Sequence, residues 1–412
     1  MNASRPMVIV GAGHVGGRTA QALREFGWSG EILLIGSETH LPYERPPLSK
    51  ALLTGERDAA SCALRPREAY EADRIAHVVD RVVSIDGSAR EAILTDGRRM
   101  GYQALLLATG GHLRWLDIPG ADLPGVVGLR TLDDAAALAP RLLPGSKIVV
   151  VGGGFIGLEV AASARKRGCE VSLVEGADRL MGRSVPAAIG AQVLSLHHGR
   201  GVNIRLQTSP LEIGQRADGQ LCVGLSDGSE LTATTVVVGI GIEPATELAR
   251  AASISVNRGI EVNAELATSL PDVFAAGDVA EFPSALSGQA IRQESWHNAE
   301  TQGRTAARNM LGGHEAYTAL PWLWSDQYDH VLQVGGEPAL GRTSVTRAWG
   351  GARIQFHLDA QGGLVGVSGF GESAAMAREF KLARMLVERR LRPRADQLSD
   401  TSITLKSLLR AA

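Results

Sequence analysis

Two glycine triplets are the residues in this sequence best placed to do chemistry. Gly11-x-Gly13-x-x-Gly16 follows the apolar run Met7–Val10, and Gly152-x-Gly154-x-x-Gly157 follows a second apolar run at 148–151. In such a turn the first glycine permits a tight bend and the second lets the backbone approach a pyrophosphate. The third lets helix and strand pack closely. The helix that follows presents unpaired N–H groups to the phosphates. An acid stands where a ribose hydroxyl is expected in each case: Glu38, 22 residues after Gly16, and Glu175, 18 residues after Gly157. Two such units about 140 residues apart imply that one chain holds two different nucleotides.

The elements around these turns are of the matching type. Behind the first turn, Ala20, Leu23 and Phe26 fall at helical spacing, and 32–35 reads as a second buried strand. Behind the second, a helix is expected over 158–167 and a strand over 171–174. The segment LPYERPPLSK at 41–50 reads as a rigid extended loop, because adjacent prolines disfavour regular structure. Such a loop either holds Arg45 and Lys50 in fixed directions or leaves them solvated. Strands are expected over 78–85, 91–94 and 100–108. The last ends in Thr109-Gly110-Gly111, as where a backbone passes close to a ligand. A helix over 133–142 precedes the second unit. A buried strand over 235–242 is broken by Pro244, and a strand over 273–276 runs into Gly277-Asp278. A helix is expected over 300–311. Beyond Pro321 the character changes: 331–334, 354–358 and 364–367 read as an antiparallel sheet. A helix over 372–390 follows, with Met376, Phe380, Ala383 and Val387 on one face.

Composition narrows the class. A chain of 412 residues accommodates two or three domains. A net charge of −2 argues against bulk nucleic-acid binding. Cys62, Cys169 and Cys222 are isolated from one another and no C-x-x-C occurs, so neither a dithiol pair nor a zinc site is expected, nor any other metal. The N-terminus enters a strand by Met7 without a signal pattern, and no apolar run approaches the ~18 residues of a membrane span. A cytoplasmic protein is expected.

The ordered motifs VIVGAGHVGG, LPYERPPLSK, LLLATG, VVVGGGFIGLE, VFAAGDVA, ESWHNA and PWLWSDQYD resemble the two-dinucleotide flavoprotein reductases. More narrowly, they are similar to the NADH-dependent ferredoxin reductases that feed aromatic-ring dioxygenases and bacterial cytochromes P450. The resemblance implies that Gly11, Gly13, Gly16 and Glu38 bind the FAD pyrophosphate and ribose. Arg45 and Lys50 lie along the flavin side, Lys50 close to N5, and Thr109 and Gly110 line the FAD path. Gly277 and Asp278 reach the ribityl and pyrophosphate portion. Gly152, Gly154, Gly157 and Glu175 bind NADH. Glu159 is the ionic partner of Lys50, and Glu294, Trp296 and Trp324 border the nicotinamide and isoalloxazine rings. Read from the residues alone, Trp322 and Trp324 serve equally as core aromatics, and Glu294 and Trp296 are open in the same way.

The expected fold is α/β: two Rossmann-like dinucleotide-binding domains, the NADH domain inserted in the FAD domain, and a C-terminal α+β domain. The expected bounds are 1–115 with 244–318 for FAD, 116–243 for NADH and 319–412 for the third. The expected function is hydride transfer from NADH to FAD and single-electron transfer to a small acidic 2Fe-2S ferredoxin, which serves an oxygenase or cytochrome P450. Lys50 favours the charge of the reduced flavin. Rubredoxin, a quinone, dioxygen or a peroxide are alternative acceptors, and a redox sensor akin to apoptosis-inducing factor is the alternative of a different class. His14 and His112 are expected to play no chemical part, and Gly17 to loosen the start of the first helix. Glu175 favours NADH, while Arg179 and Arg183 nearby suit a 2′-phosphate. Arg304 with Arg308, and the run Arg389, Arg390, Arg392 and Arg394, are basic clusters that either dock an acidic carrier or are merely solvated.

Overall fold

Met7–Val10 is apolar at every position, and such a run is suited to a parallel strand buried on both faces. The computed structural model, which describes residues 5–182 and 184–410, places it at the centre of a five-stranded parallel sheet. The order is Val273–Ala275, Ala104–Leu107, Met7–Val10, Ile32–Gly36, Ile75–Val79. Side chains alternate across it. Met7, Ile9, Ile32, Leu34 and Leu106 face a core shared with the helices His14–Glu25 and Trp296–Met310. Val8, Val10, Leu33, Ile35 and Leu107 face the other way, onto a small antiparallel sheet of Val82–Asp86, Glu91–Leu94 and Arg99–Gly101. This unit is discontinuous, drawn from Met1–Arg45, Ala60–His112 and Glu243–Pro321.

The second unit comprises Pro46–Ala59, Leu113–Ile242 and Trp322–Ala412. Its parallel sheet runs Val202–Leu206, Glu170–Glu175, Lys147–Val151, Thr235–Val238, Val126–Gly128. An antiparallel sheet of Pro210–Gln215, Leu221–Leu225 and Glu230–Ala233 shares a core with it through Val149, Val151, Ile213 and Val223. The C-terminal stretch forms five antiparallel strands in the order Trp322–Gln327, His330–Gly336, Leu364–Glu372, Ala352–Leu358, Thr343–Trp349. The helix Ser373–Glu388 packs on that sheet through Met376, Phe380, Ala383 and Val387. Among the described residues no helix is long and apolar enough to cross a membrane.

Several local expectations are corrected. The prolines at 46–47 open a 3-10 turn, Pro46–Ser49, followed by the short helix Ala51–Thr54, rather than an extended loop. Proline's fixed φ suits the first turn of a helix, where its missing N–H is not needed. The strand expected over 78–85 is two strands in different sheets, Ile75–Val79 and Val82–Asp86. Asp80 turns the chain between them by accepting a bond from the Arg81 N–H at 2.7 Å. The helix expected from 300 begins at Trp296 because the Ser295 hydroxyl caps it, accepting from the Asn298 N–H at 3.2 Å.

Candidate functional site

In the first unit the glycine turn is built by close approach. Gly11 sits at φ +114°, and a Cβ there would strike the Ala108 carbonyl. A Cβ on Gly16 would strike the Gly11 carbonyl oxygen. Gly13 is different: a Cβ there would meet only the Arg45 guanidinium, at 3.8 Å. Its small size is not required by protein packing, and it leaves room for a ligand at the helix N-terminus. Gly13 caps that helix without a side-chain bond, so the first N–H groups have no side-chain cap from that residue. Glu38 lies just beyond the second strand, where its carboxylate accepts from the Tyr43 hydroxyl at 2.5 Å and pairs with Arg45 at 3.1 Å. The Thr109 hydroxyl donates to the Ala245 carbonyl at 2.8 Å, and Gly110 follows at φ +66°.

The strand Val273–Ala275 delivers Gly277 and Asp278 to the same helix. Gly277 packs against Val15, and its N–H donates to the Gln302 side chain at 2.7 Å. Arg292 donates to the Asp278 carbonyl at 3.0 Å and pairs with Glu294 at 2.5 Å. Trp296 meets the His14 ring edge-on at 5.2 Å. His14, the first residue of the glycine helix, is bonded to Glu300 at 3.2 Å, and Arg18 reaches the same carboxylate at 2.6 Å. Burial raises the Glu300 carboxyl, but the His14 bond and the Arg18 charge outweigh it and hold the group below its usual range. His112 is exposed, 3.7 Å from Glu247. Glu38, Arg45, Thr109, Gly110, Gly277, Asp278, Glu294 and Trp296 thus belong to the unit that holds the first turn.

The second turn repeats the construction. Gly152 sits at φ +107° against the Gly239 carbonyl, and Gly157 is held against Gly152. A Cβ on Gly154 would meet nothing within 4 Å, so again the middle glycine leaves space. Glu175 is fixed at the mouth of this turn: one carboxylate oxygen accepts the Gly153 N–H at 2.6 Å, the other the Ala177 N–H at 2.8 Å. Arg179 turns away to the carbonyls of Gly182 and Val185. Arg183 lies outside the described residues.

The helix of this turn, Phe155–Lys166, grips residues 46–54. Glu159, Ser163 and Arg167 lie at i, i+4, i+8, on one face and its continuation just past the helix end. Lys50 Nζ pairs with Glu159 Oε2 at 2.8 Å, and the Ser49 hydroxyl donates to the same oxygen. The Ser163 hydroxyl donates to the Ser49 carbonyl at 2.7 Å, and Arg167 to the Leu53 carbonyl at 2.9 Å. The strand Trp322–Gln327 packs on this helix with strict alternation. Trp322 and Trp324 stack on one face, 5.1 Å apart. Asp326 shares that face. It keeps solvent access, yet the protein crowded around it desolvates the carboxyl and raises it; Lys50 opposes this and Glu159 adds to it. Ser325 and Gln327 point the other way and are fully buried. Ser325 donates to Glu159 Oε1 at 2.5 Å.

Sequence reasoning did not reach Ser49, Ser163, Arg167, Ser325, Gln327 or His197. The W-L-W-S-D-Q alternation was the available signal that Ser325 and Gln327 face away from Trp324. Nothing local pairs Ser49 or Ser325 with Glu159, or Gln327 with His197.

Comparison with known proteins gives two family matches. Residues 5–303 match the pyridine nucleotide-disulphide oxidoreductase family, and residues 322–409 match the reductase C-terminal family. The ferredoxin–NAD(+) reductase component of the anthranilate 1,2-dioxygenase system of Burkholderia cepacia is 41% identical over 98% of this chain and 99% of its own. Rhodocoxin reductase of Rhodococcus erythropolis is 39% identical over 97% of this chain and 93% of its own. The crystal structure of a covalent putidaredoxin reductase–putidaredoxin complex superposes with a TM-score of 0.95 at 36% identity, covering 100% of this chain and 99% of that one. The paired glycine turns, the C-terminal sheet and these full-length similarities agree: the chain belongs to the pyridine nucleotide-disulphide oxidoreductase family, among its ferredoxin–NAD(+) reductases.

Proposed function

We propose that this oxidoreductase takes hydride from NADH onto FAD and passes single electrons to a small acidic 2Fe-2S ferredoxin, which serves a terminal oxygenase or a cytochrome P450. The observation that carries the reading is the pair of glycine turns, each with an open middle glycine and an acid at or just past the end of its second strand. FAD, when bound, supplies acceptance of a hydride and release of electrons one at a time. The chain's own residues bind and orient. We assign Gly11, Gly13, Gly16, Glu38, Arg45, Thr109, Gly110, Gly277 and Asp278 to FAD, and Gly152, Gly154, Gly157 and Glu175 to NADH. Trp296, Glu294 and Trp324 are assigned to the ring portions. Lys50, anchored by Glu159, supplies the positive charge that favours reduced flavin.

We assign 1–115 with 244–318 to FAD, 116–243 to NADH and 319–412 to a third domain, and place the protein in the cytoplasm. The cysteines support direct exit of electrons from the flavin. Cys62 and Cys169 are buried, none of the three cysteines is in a disulfide, and burial pushes the Cys169 thiol up, away from a reactive thiolate.

The test is NADH oxidation by the purified, FAD-loaded protein with and without a purified acidic 2Fe-2S ferredoxin. Turnover is expected to depend on the ferredoxin and to reduce it stoichiometrically at one electron per cluster. Equal NADH oxidation in its absence, with dioxygen consumed, overturns the assignment in favour of an oxidase.

A further inference from the structure

Glu159 is 3% exposed, and a carboxylate so deeply buried needs donors on both oxygens. Lys50 and Ser49 serve Oε2, and Ser325 serves Oε1. The structure does not stop there. The Gln327 amide Nε2 donates to the Ser325 hydroxyl at 2.8 Å. The Gln327 carbonyl oxygen lies 2.9 Å from His197 Nε2. Ser325, Gln327 and His197 are each 0% exposed.

His197 stands where the core stripe of its helix, Ala187–Gly199, calls for an apolar residue: Ile189, Val193 and His197 are spaced by four. Its ring meets Tyr328 at 5.2 Å, and its Nδ1 has no hydrogen-bond partner among the described residues.

The direction of every bond is determined. A carboxylate only accepts, so Ser325 spends its proton on Glu159 and accepts from Gln327. The Gln327 oxygen then faces His197, so His197 Nε2 must carry the proton. The orphaned Nδ1 is therefore a bare lone pair rather than an unpaired N–H. All donors point toward Glu159, and chains of that kind polarise cooperatively in a dry interior.

We propose that Ser325, Gln327 and His197 are positioning residues for the Lys50–Glu159 pair: a one-way hydrogen-bond chain fixes the Glu159 carboxylate and thereby fixes where the Lys50 ammonium points. The kinetic consequence rests on the assignment of Lys50 to flavin reduction; the chain itself does not.

Two measurements on the FAD-loaded protein test it. The first is 15N NMR of histidine-labelled protein at neutral pH, with His197 identified by its loss in His197→Gln. A neutral Nε2-protonated ring is expected. A neutral Nδ1-protonated ring leaves Nε2 with no proton to donate, reverses the chain and overturns the proposal whatever the kinetics show. The second is stopped-flow flavin reduction by NADH. Gln327→Met removes both links at similar volume and should slow reduction by about tenfold, the worth of one buried hydrogen bond, with Kd for NADH unchanged. His197→Gln keeps an N–H donor and should hold near the parent rate, whereas His197→Leu should fall with Gln327→Met. A packing role predicts the opposite order, and Leu matching or exceeding Gln overturns the proposal. Lys50→Met is the reference. If it is slow and Gln327→Met is not, the chain fails alone. If Lys50→Met reduces flavin at the parent rate, the assignment of Lys50 falls, and the ring tautomer decides the chain.

Discussion

Glu175 shows how much a single fixed carboxylate settles. Both of its oxygens are tied to backbone N–H groups of its own turn, so it cannot swing away from a ligand seated there. A free 2′-hydroxyl can donate to such an acceptor, whereas a 2′-phosphate is repelled by it. Arg179, four residues after Glu175, is committed to the carbonyls of Gly182 and Val185. NADH is therefore expected to exceed NADPH in kcat/KM. Glu175→Ala should narrow the ratio by about tenfold, roughly 1.4 kcal/mol, well below the bare repulsion of two charges about 4 Å apart near a protein surface. Steady-state kinetics with both nucleotides checks this. A ratio untouched by the substitution would place the discrimination elsewhere.

Gly17 makes the corresponding point for an element. Its N–H bonds normally to the Gly13 carbonyl at 3.0 Å, so the helix start is not loosened as the sequence suggested. A Cβ there would lie 2.5 Å from Pro42 Cβ and 3.1 Å from Leu64 Cδ1. Gly199, at the end of its own helix, has open space instead. Glycine-to-alanine normally stabilises a helix by about 0.5–1 kcal/mol, but overpacking costs about 1–3 kcal/mol. Opposite signs follow: Gly17→Ala should lower Tm and Gly199→Ala should hold or raise it, as thermal unfolding by circular dichroism would show. The same contrast marks what was legible in the sequence. Both strand–turn–helix units were, because their apolar runs and glycines are local patterns. The tight fit of Gly17 under Pro42 was not, because the proline arrives from another segment. Nor was the 3-10 turn at Pro46–Ser49, where proline chemistry is compatible with extended and helical starts alike. The partners of Glu159 were furthest from reach: Ser325 is 166 residues away in sequence, and only the fold brings it near.

Across the whole molecule, the charges are largely settled locally. Arg304 pairs with Glu25 and Arg308 with Glu315, both over the Phe26 ring, and Arg394 pairs with Asp396, so these arginines are partly neutralised by their own neighbours. Two deeply buried histidines add a pH dependence to stability. Burial pushes His197 down to about 4; its bond to Gln327 opposes the shift and His198 adds to it. Burial likewise pushes His357 to about 4, beside Ser368 at 3.3 Å. In the unfolded chain a histidine titrates near 6.5. Between those values the unfolded state binds a proton that the folded state refuses, so stability falls as pH drops from about 6.5 to about 4. Below about 4 both states are protonated at these positions and the slope from them ends. The gap is worth about 3 kcal/mol for each ring, most of it lost before ordinary carboxylates protonate. Measured as Tm against pH, the parent should decline steadily below about 6.5. The double variant His197→Gln with His357→Gln should start from a lower Tm but decline less steeply down to about 4.5, where carboxylates begin to protonate, keeping the smaller share of His77, which burial also lowers. A double variant with the parent's slope would move the acid sensitivity to other groups.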